Sequence, residues 1–575
     1  MDATTTPSIA VNKRNYLRRD LQINSWEDIS QYYDEILNRE INSSQELFKW
    51  LKDRSELDSA VQENAGWRYI KMTCDTTNKE YADAYTYFVS EIEPKISPIS
   101  NSIDKKLLSS PYLSELNDDR INIALRGIKK QVEIFREANI PLQAEIKKKE
   151  QKYGELAGGL SIEHDGKELT LQQASNLLKS TDRELRETIF KKINQSRASI
   201  RTELESLFDD LVKLRHQIAI NADFKNFRDY MFAALGRFDY TANDCFRFHE
   251  SIKSNVTPIV KKFGLERKNK LGYDKLRPWD MSVDPEGLQP LKPFETGEQL
   301  METTIHMFTN INPFLGKCMQ NLKDMQHIDL ESRKGKAPGG YNYPLYETGA
   351  PFIFMNASGS LRDVVTIVHE GGHAVHSFLT DELELADFKS TPSEVAELAS
   401  MTMELISLDN WNKFFSNDDE LTRAKKEHLQ KVIEVLPWIA IVDKFQHWIY
   451  ENPKHTREER KNQWKAIYKE FSTGLVDHTG FEDAYENAWH SQLHIFEVPF
   501  YYIEYGFAQL GAIAIWKNFK ENPSTTYEQY IDALKLGYTA TIPNIYKAAG
   551  IQFNFSEEYV KELSHFISEE LTQLD

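Results

Sequence analysis

Val368-His-Glu-Gly-Gly-His-Ala-Val-His376 places three imidazoles and one carboxylate within nine residues of a 575-residue chain. Read as a helix, the stretch projects His369 and His373, four apart, from one face, with Glu370 about 100° round the axis from His369. That is the spacing of a zinc-binding His-Glu-x-x-His helix, a pattern expected by accident only about 0.03 times in a chain of this length and composition. The apolar flanks Ile367, Val368, Ala374 and Val375 argue against a solvated surface helix. Gly371 and Gly372 each cost up to about 1 kcal/mol in a helix interior relative to alanine, so another part of the chain is expected to approach that backbone closely.

Working towards the N-terminus, Ser360-Leu-Arg-Asp363 has the form of a capping box, and Val364, Val365, Ile367 and Val368 give the helix an apolar body. Before it, Gly335 to Ser360 is punctuated by Gly and Pro, and Pro351 to Asn356 reads as a short strand. This strand is expected beside the metal helix, its edge available to an extended peptide backbone, which makes Phe352 and Phe354 candidate substrate contacts. The Gly339-Gly340-Tyr341 loop is a further candidate contact, through its backbone. Working towards the C-terminus, Pro392 opens a helix carrying Glu394, Glu397 and Glu404. A catalytic zinc takes three protein ligands and keeps one position for water, so two histidines leave a ligand to be found. Glu397 and Glu404 are seven apart, nearly on one face, so one can bind metal while the other orients a histidine. Spacing does not choose between Glu394 and Glu397. His376 reads as a packed helix residue, and His478 and His490 as structural or solvent-facing.

The rest of the chain is compatible with this reading. It is 40% hydrophobic and 27% charged, ordinary globular material long enough for more than one core. Its net charge of -18, with no basic run, disfavours nucleic acid. Cys74, Cys245 and Cys318 are scattered, which points to reduced thiols rather than a disulfide framework. No apolar stretch is long enough to span a bilayer, and residues 1–22 contain no secretory apolar region, so a cytoplasmic protein without membrane contact is expected. Apolar periodicity predicts amphipathic helices over 24–53, 81–96 and 118–136. Asp165-Gly166 predicts a hairpin turn, and Thr181 to Glu184 a helix start for a run to about Leu214. Four prolines between Arg277 and Gly297 predict an irregular connection.

Three segments together resemble one family. HEGGHAVH at 369–376, SEVAELASMTMEL at 393–405 and HIFEVPFYYIEYGFAQ at 494–509 look like the oligoendopeptidase F branch of the thimet-oligopeptidase metallopeptidase family. The likeness covers most of the chain from about residue 200 onward; the N-terminal helices match only in length and texture. It implies a mostly α-helical fold with two lobes around a deep central channel, a small β-sheet beside the active site, an N-terminal helical lobe over 1–200 and a catalytic region over 201–575. The resemblance also implies that Glu397 is the third ligand of a single zinc ion, that Glu404 supports it from outside the ligand set, and that His494, Tyr501 and Tyr505 act on the substrate. Phe507 stands where the more distant thimet branch has a tyrosine, which brings in Tyr502 as a candidate.

The activity this implies is hydrolysis of short unfolded oligopeptides by a metal-activated water. Glu370 takes the water's proton, and His494, Tyr501 or Tyr505 stabilises the oxyanion. Two alternatives stand beside it. A carboxypeptidase or dipeptidyl carboxypeptidase of the same chemistry needs a cationic anchor for the substrate C-terminus, which no Arg or Lys identifies. A non-catalytic, metal-stabilised peptide-binding protein has no need of Glu370. The oligomeric state is not legible in the sequence, and a two-nitrogen, one-oxygen ligand set also accepts cobalt or manganese.

Overall fold

The computed structural model describes residues 14–574; the N-terminal reading above rests partly on residues 1–13, which lie outside them. About 70% of the described residues are helical, and two small sheets lie among them. Asp165 (φ 51°) and Gly166 (φ 72°) make the expected two-residue turn between β1 (Ser161–His164) and β2 (Lys167–Thr170). The second sheet contains β3 (Ile328–Glu331), β4 (Tyr341–Tyr343) and β5 (Phe352–Ala357) in the order β3-β5-β4.

Helix ends follow capping chemistry. The run expected over 24–53 is two helices, Ser30–Asn38 and Ser44–Cys74, because Ser43 Oγ accepts from the Glu46 backbone N–H and starts a new helix there. The run after Thr181 is capped by Asp182 and breaks at Ile200 into Arg183–Ser199 and Arg201–Asn221. The segment expected over 81–96 contains a π-helical turn, Phe88–Ile92. The helix Asp119–Ile134 and the irregular stretch before Gly297 lie as expected. No helix among the described residues is long and apolar enough to cross a membrane.

Apolar packing divides the chain near residue 130. Side chains from Leu17 to Ile128 form one buried cluster, joined by Leu385 and Phe388, whereas those from Ile134 to Leu571 form a larger one. Tyr153 and Leu204, on either side of position 200, share the larger cluster.

The position of β5 overturns one expectation. It pairs with β3 in parallel and with β4 in antiparallel register, so neither edge is open to a peptide. Side chains alternate between the faces of a sheet. Phe352 and Phe354 therefore point with Tyr341 and Tyr343 towards Trp67 and Ile70 of the Ser44–Cys74 helix, while Ile353 and Met355 enter the large core. Phe354 is fully buried, its ring stacked 4.6 Å from that of Tyr341, and Phe352 is 5% exposed. Neither is a substrate contact. The outer strands of this sheet are β3 and β4, and β4 is the one whose Asn342 bonds the histidine helix.

The histidine motif lies on the helix Leu361–Thr380, whose Ser360–Asp363 capping box is present as expected. The acidic motif lies on Ser393–Ile406. These two helices cross where Gly372 meets Ser400: a Cβ on Gly372 would stand 2.6 Å from Ser400 Cα and 3.0 Å from the Ala399 carbonyl oxygen. Gly371 faces Phe308, 2.6 Å from where its Cβ would be. Gly372→Ala would gain up to about 1 kcal/mol in helix propensity. The contact is with backbone, which cannot rotate away, so overpacking of about 1–3 kcal/mol dominates. We expect Gly372→Ala to lower the melting temperature and weaken metal retention; an unchanged melting temperature would contradict this packing.

Candidate active site

The crossing at Gly372 delivers Glu397 to the two histidines. Its Oε2 stands 3.1 Å from His369 Nε2 and 3.7 Å from His373 Nε2, and the ligand atoms of the three residues lie within 4.8 Å of one another. Glu397 Oε2 is buried and accepts no hydrogen bond, the condition of an oxygen meant for a cation. Glu394, one turn earlier, is buried away from the histidines, where its charge is felt by Glu504 and Tyr240. The helices thus separate two glutamates that spacing left equivalent.

Burial and the neighbouring carboxylates act in opposite directions on the two histidines. Burial holds His373 down at about 4, so its imidazole is neutral. Burial opposes the charge of His369 as well, but the Glu397 and Glu404 carboxylates beside it outweigh burial and raise its pKa well above the usual value, so this ring gives up a proton when it binds a metal. His369 Nδ1 lies 2.7 Å from Glu404 Oε1, so Glu404 fixes the ring from behind. Burial disfavours the Glu397 anion, yet His373, His369 and Tyr501 keep its pKa below the ordinary value.

Glu370 follows His369 on the buried side of the helix, and burial pushes its carboxyl up to about 8. Its Oε2 has no hydrogen-bond partner, and a nearby cation would favour the charged form. A Cβ on Gly340 would lie 3.4 Å from Glu370 Oε1, so this glycine keeps the start of β4 close to the carboxylate. Gly339, at φ 96°, makes the turn that leads there. Asn342 of β4 donates to the Glu370 backbone carbonyl.

The third motif closes the opposite side. Tyr501 Oη donates to Glu397 Oε1 at 2.5 Å. Phe500, just before it, is left-handed at φ 68°, a conformation costing about 1–3 kcal/mol for a bulky residue. It is held there by Gln446, which accepts from its N–H, and by Arg237, which donates to its carbonyl.

Two residues absent from the sequence reading set the direction of a hydrogen-bond chain. The Trp438 indole N–H can only donate, so the Gln492 oxygen that receives it at 3.0 Å is fixed, and the Gln492 amide nitrogen must donate to His494 Nδ1 at 2.7 Å. Burial lowers His494 to about 4, so its single proton sits on Nε2 and faces Tyr505 Oη at 3.3 Å. Tyr505 then accepts through its oxygen and keeps its own proton for another partner. Tyr502 packs its ring 4.9 Å from His494. A glutamine two residues before a histidine is a faint signal, and Trp438 is distant in sequence.

His376, His478 and His490 stay outside the cluster. His376 is buried, with its Nε2 unpartnered, His478 is half-buried against Tyr485, and His490 bonds Glu205 at 2.9 Å.

Comparison with known proteins places this geometry in a family. Residues 176–565 match the model of Peptidase family M3, and residues 19–135 that of the Peptidase M3 N-terminal domain. The chain belongs to peptidase family M3. It is 22% identical over 423 residues to oligopeptidase PepF of Bacillus subtilis, an alignment covering 71% of this chain and 60% of that protein. It is 22% identical over 512 residues to an oligoendopeptidase F homolog of Borreliella burgdorferi, covering 86% and 85%. The solved structure of PZ peptidase A with inhibitor 2 superposes with a TM-score of 0.91 at 26% identity over 96% of this chain and 97% of that one.

Replacing Gln492 with glutamate tests the direction of the chain. A carboxylate accepts from Nδ1, moves the imidazole proton there, and leaves Nε2 to take the Tyr505 proton. We expect Gln492→Glu to lower kcat on a quenched peptide by about 10²-fold, the scale of losing one oxyanion donor. Parent-like kcat would contradict this tautomer.

Proposed function

We propose that this chain is a zinc-dependent endopeptidase that hydrolyses short, unfolded oligopeptides, in a reducing, cytoplasmic compartment consistent with its three free cysteines. The observation that carries the reading is the convergence of His369, His373 and the unpartnered Glu397 Oε2 beside an equally unpartnered Glu370 Oε2. The donor set, two imidazole nitrogens and one carboxylate, fits a catalytic zinc, which His369 would bind after releasing its proton. Bound there, one zinc ion supplies Lewis acidity, polarising the scissile carbonyl and bringing the pKa of a water at its open position towards 7.

The chain's own residues do the rest. Glu370 takes the proton of the attacking water and passes it to the departing amine. Glu404 keeps His369 in the tautomer that presents Nε2. Tyr501 is occupied in orienting Glu397, which leaves Tyr505 to donate to the tetrahedral oxyanion, with His494 behind it. The charges of Glu397 and Glu370 both reach the Tyr505 phenol, in keeping with that position. An extended substrate adds to the outer edge of β4, where the turn at Gly339 leads into Gly340 and brings that backbone close to Glu370. Tyr502 lines the same wall. Oligopeptidase and oligoendopeptidase are the names of the relatives matched, which supports this substrate class.

Glu370→Gln is expected to retain zinc and lose about 10²- to 10⁴-fold in turnover, whereas Glu397→Ala loses the metal as well. Hydrolysis by Glu370→Gln at the parent rate would remove Glu370 from the role of base. In a peptide length series with product masses, internal cleavage is expected; uniform release of one or two C-terminal residues would instead establish a carboxypeptidase.

A further inference from the structure

A second cluster of metal-ligating side chains lies behind the wall that carries Tyr501. Cys245 and His249 are four apart on the helix Ala242–Asn255, and Asp443 and His447 are four apart on Asp418–Glu451, which packs against it. Each pair therefore shares one helix face, and the two faces meet. All four residues are at most 2% exposed. The ligand atoms of Cys245, Asp443 and His447 lie within 4.8 Å of one another; among the described residues only His369, His373 and Glu397 form another such group. His249 lies outside that group, and its Nε2 hydrogen-bonds Asp443 Oδ2 at 2.8 Å.

Two observations favour an ion over a hydrogen-bonded core network. The first is unmet bonding capacity: Asp443 Oδ1, His249 Nδ1 and both ring nitrogens of His447 have no hydrogen-bond partner, although His447 Nε2 is only 3.2 Å from Asp443 Oδ2. Close approach without hydrogen-bond alignment is also how His373 Nε2 and Glu397 Oε2 meet at the first site. The second is charge. The neighbouring cations are already paired, Arg237 with Glu504 and Lys444 with Glu470, each at 2.8 Å, so the buried Asp443 anion has no cation of its own.

We propose that Cys245, Asp443 and His447 hold a second, structural zinc ion, with His249 turning its Nε2 from Asp443 to the metal as the fourth ligand. One thiolate and one carboxylate neutralise a divalent charge, and a set of one sulfur, two nitrogens and one oxygen suits a closed zinc site. On binding, the Cys245 S–H bond breaks, its electron pair forms the bond to the metal, and the proton leaves to solvent. The rings of Phe232, Phe246 and Phe500 lie within 6 Å of His447 and exclude water, so the site has a tethering role and no open position. The helices it joins carry Trp438, Gln446 and Phe248, which contact Gln492, Phe500 and Gly506 respectively.

The test is metal content of the full chain purified from zinc-supplemented cells, beside the double variant His369→Ala/His373→Ala, in which the second cluster is untouched. About two equivalents of zinc are expected in the parent and about one in the double variant. Grown in cobalt, the double variant is expected to show a thiolate-to-cobalt charge-transfer band that the first site, having no sulfur, cannot produce. Cys245→Ala in the same background is expected to remove both metal and band. A double variant with neither zinc nor the band overturns the proposal, whether or not the Cys245 variant folds.

Discussion

The candidate site depends on one close approach, the backbone of Gly372 against that of Ser400. Two helices joined by a short connection can place a carboxylate within 3.1 Å of an imidazole here only because their axes come closer than ordinary side chains permit. A glycine at the crossing removes the obstacle, and the helix-propensity cost is offset by packing in the largest apolar cluster. Ligand positions need to hold to about 0.2 Å, so a single methyl group at that crossing exceeds the tolerance of the site several-fold.

Around this fixed point the polar groups are arranged by direction as well as by distance. Glu404 acts on His369 from behind, Tyr501 on Glu397 from the side, and the chain from Trp438 through Gln492 and His494 ends on a phenol that still has a proton to give. Burial makes the arrangement work, because it keeps His373 and His494 neutral and both phenols protonated. The cost is borne at Phe500, whose left-handed backbone is held by Gln446 and Arg237.

Features set by neighbours in sequence were legible: the Ser360 cap, the Asp165-Gly166 turn, the spacing of His369 and His373, and the two glycines that required a close partner. Features set by distant pairing were not. The strand Phe352–Ala357 was recognisable, but nothing local says that β3 and β4 occupy both its edges and turn Phe352 and Phe354 towards Trp67. Glu394 and Glu397 are equivalent until the helices cross, and the reading in favour of Glu397 came from family resemblance. The break before Ser44 had a readable signal in Ser43 and Glu46 that apolar periodicity outweighed. Cys245 with His249, and Asp443 with His447, each carry the four-residue spacing of a ligand pair, but some two hundred residues separate them and only the fold brings them together.

The central claim is that one metal ion sits between the histidine helix and Glu397. An anomalous difference map from crystals measured across the zinc absorption edge tests it most directly. The account predicts a peak about 2.0–2.2 Å from His369 Nε2, His373 Nε2 and a Glu397 carboxylate oxygen together. A fully zinc-loaded crystal with no peak among those three atoms would contradict it.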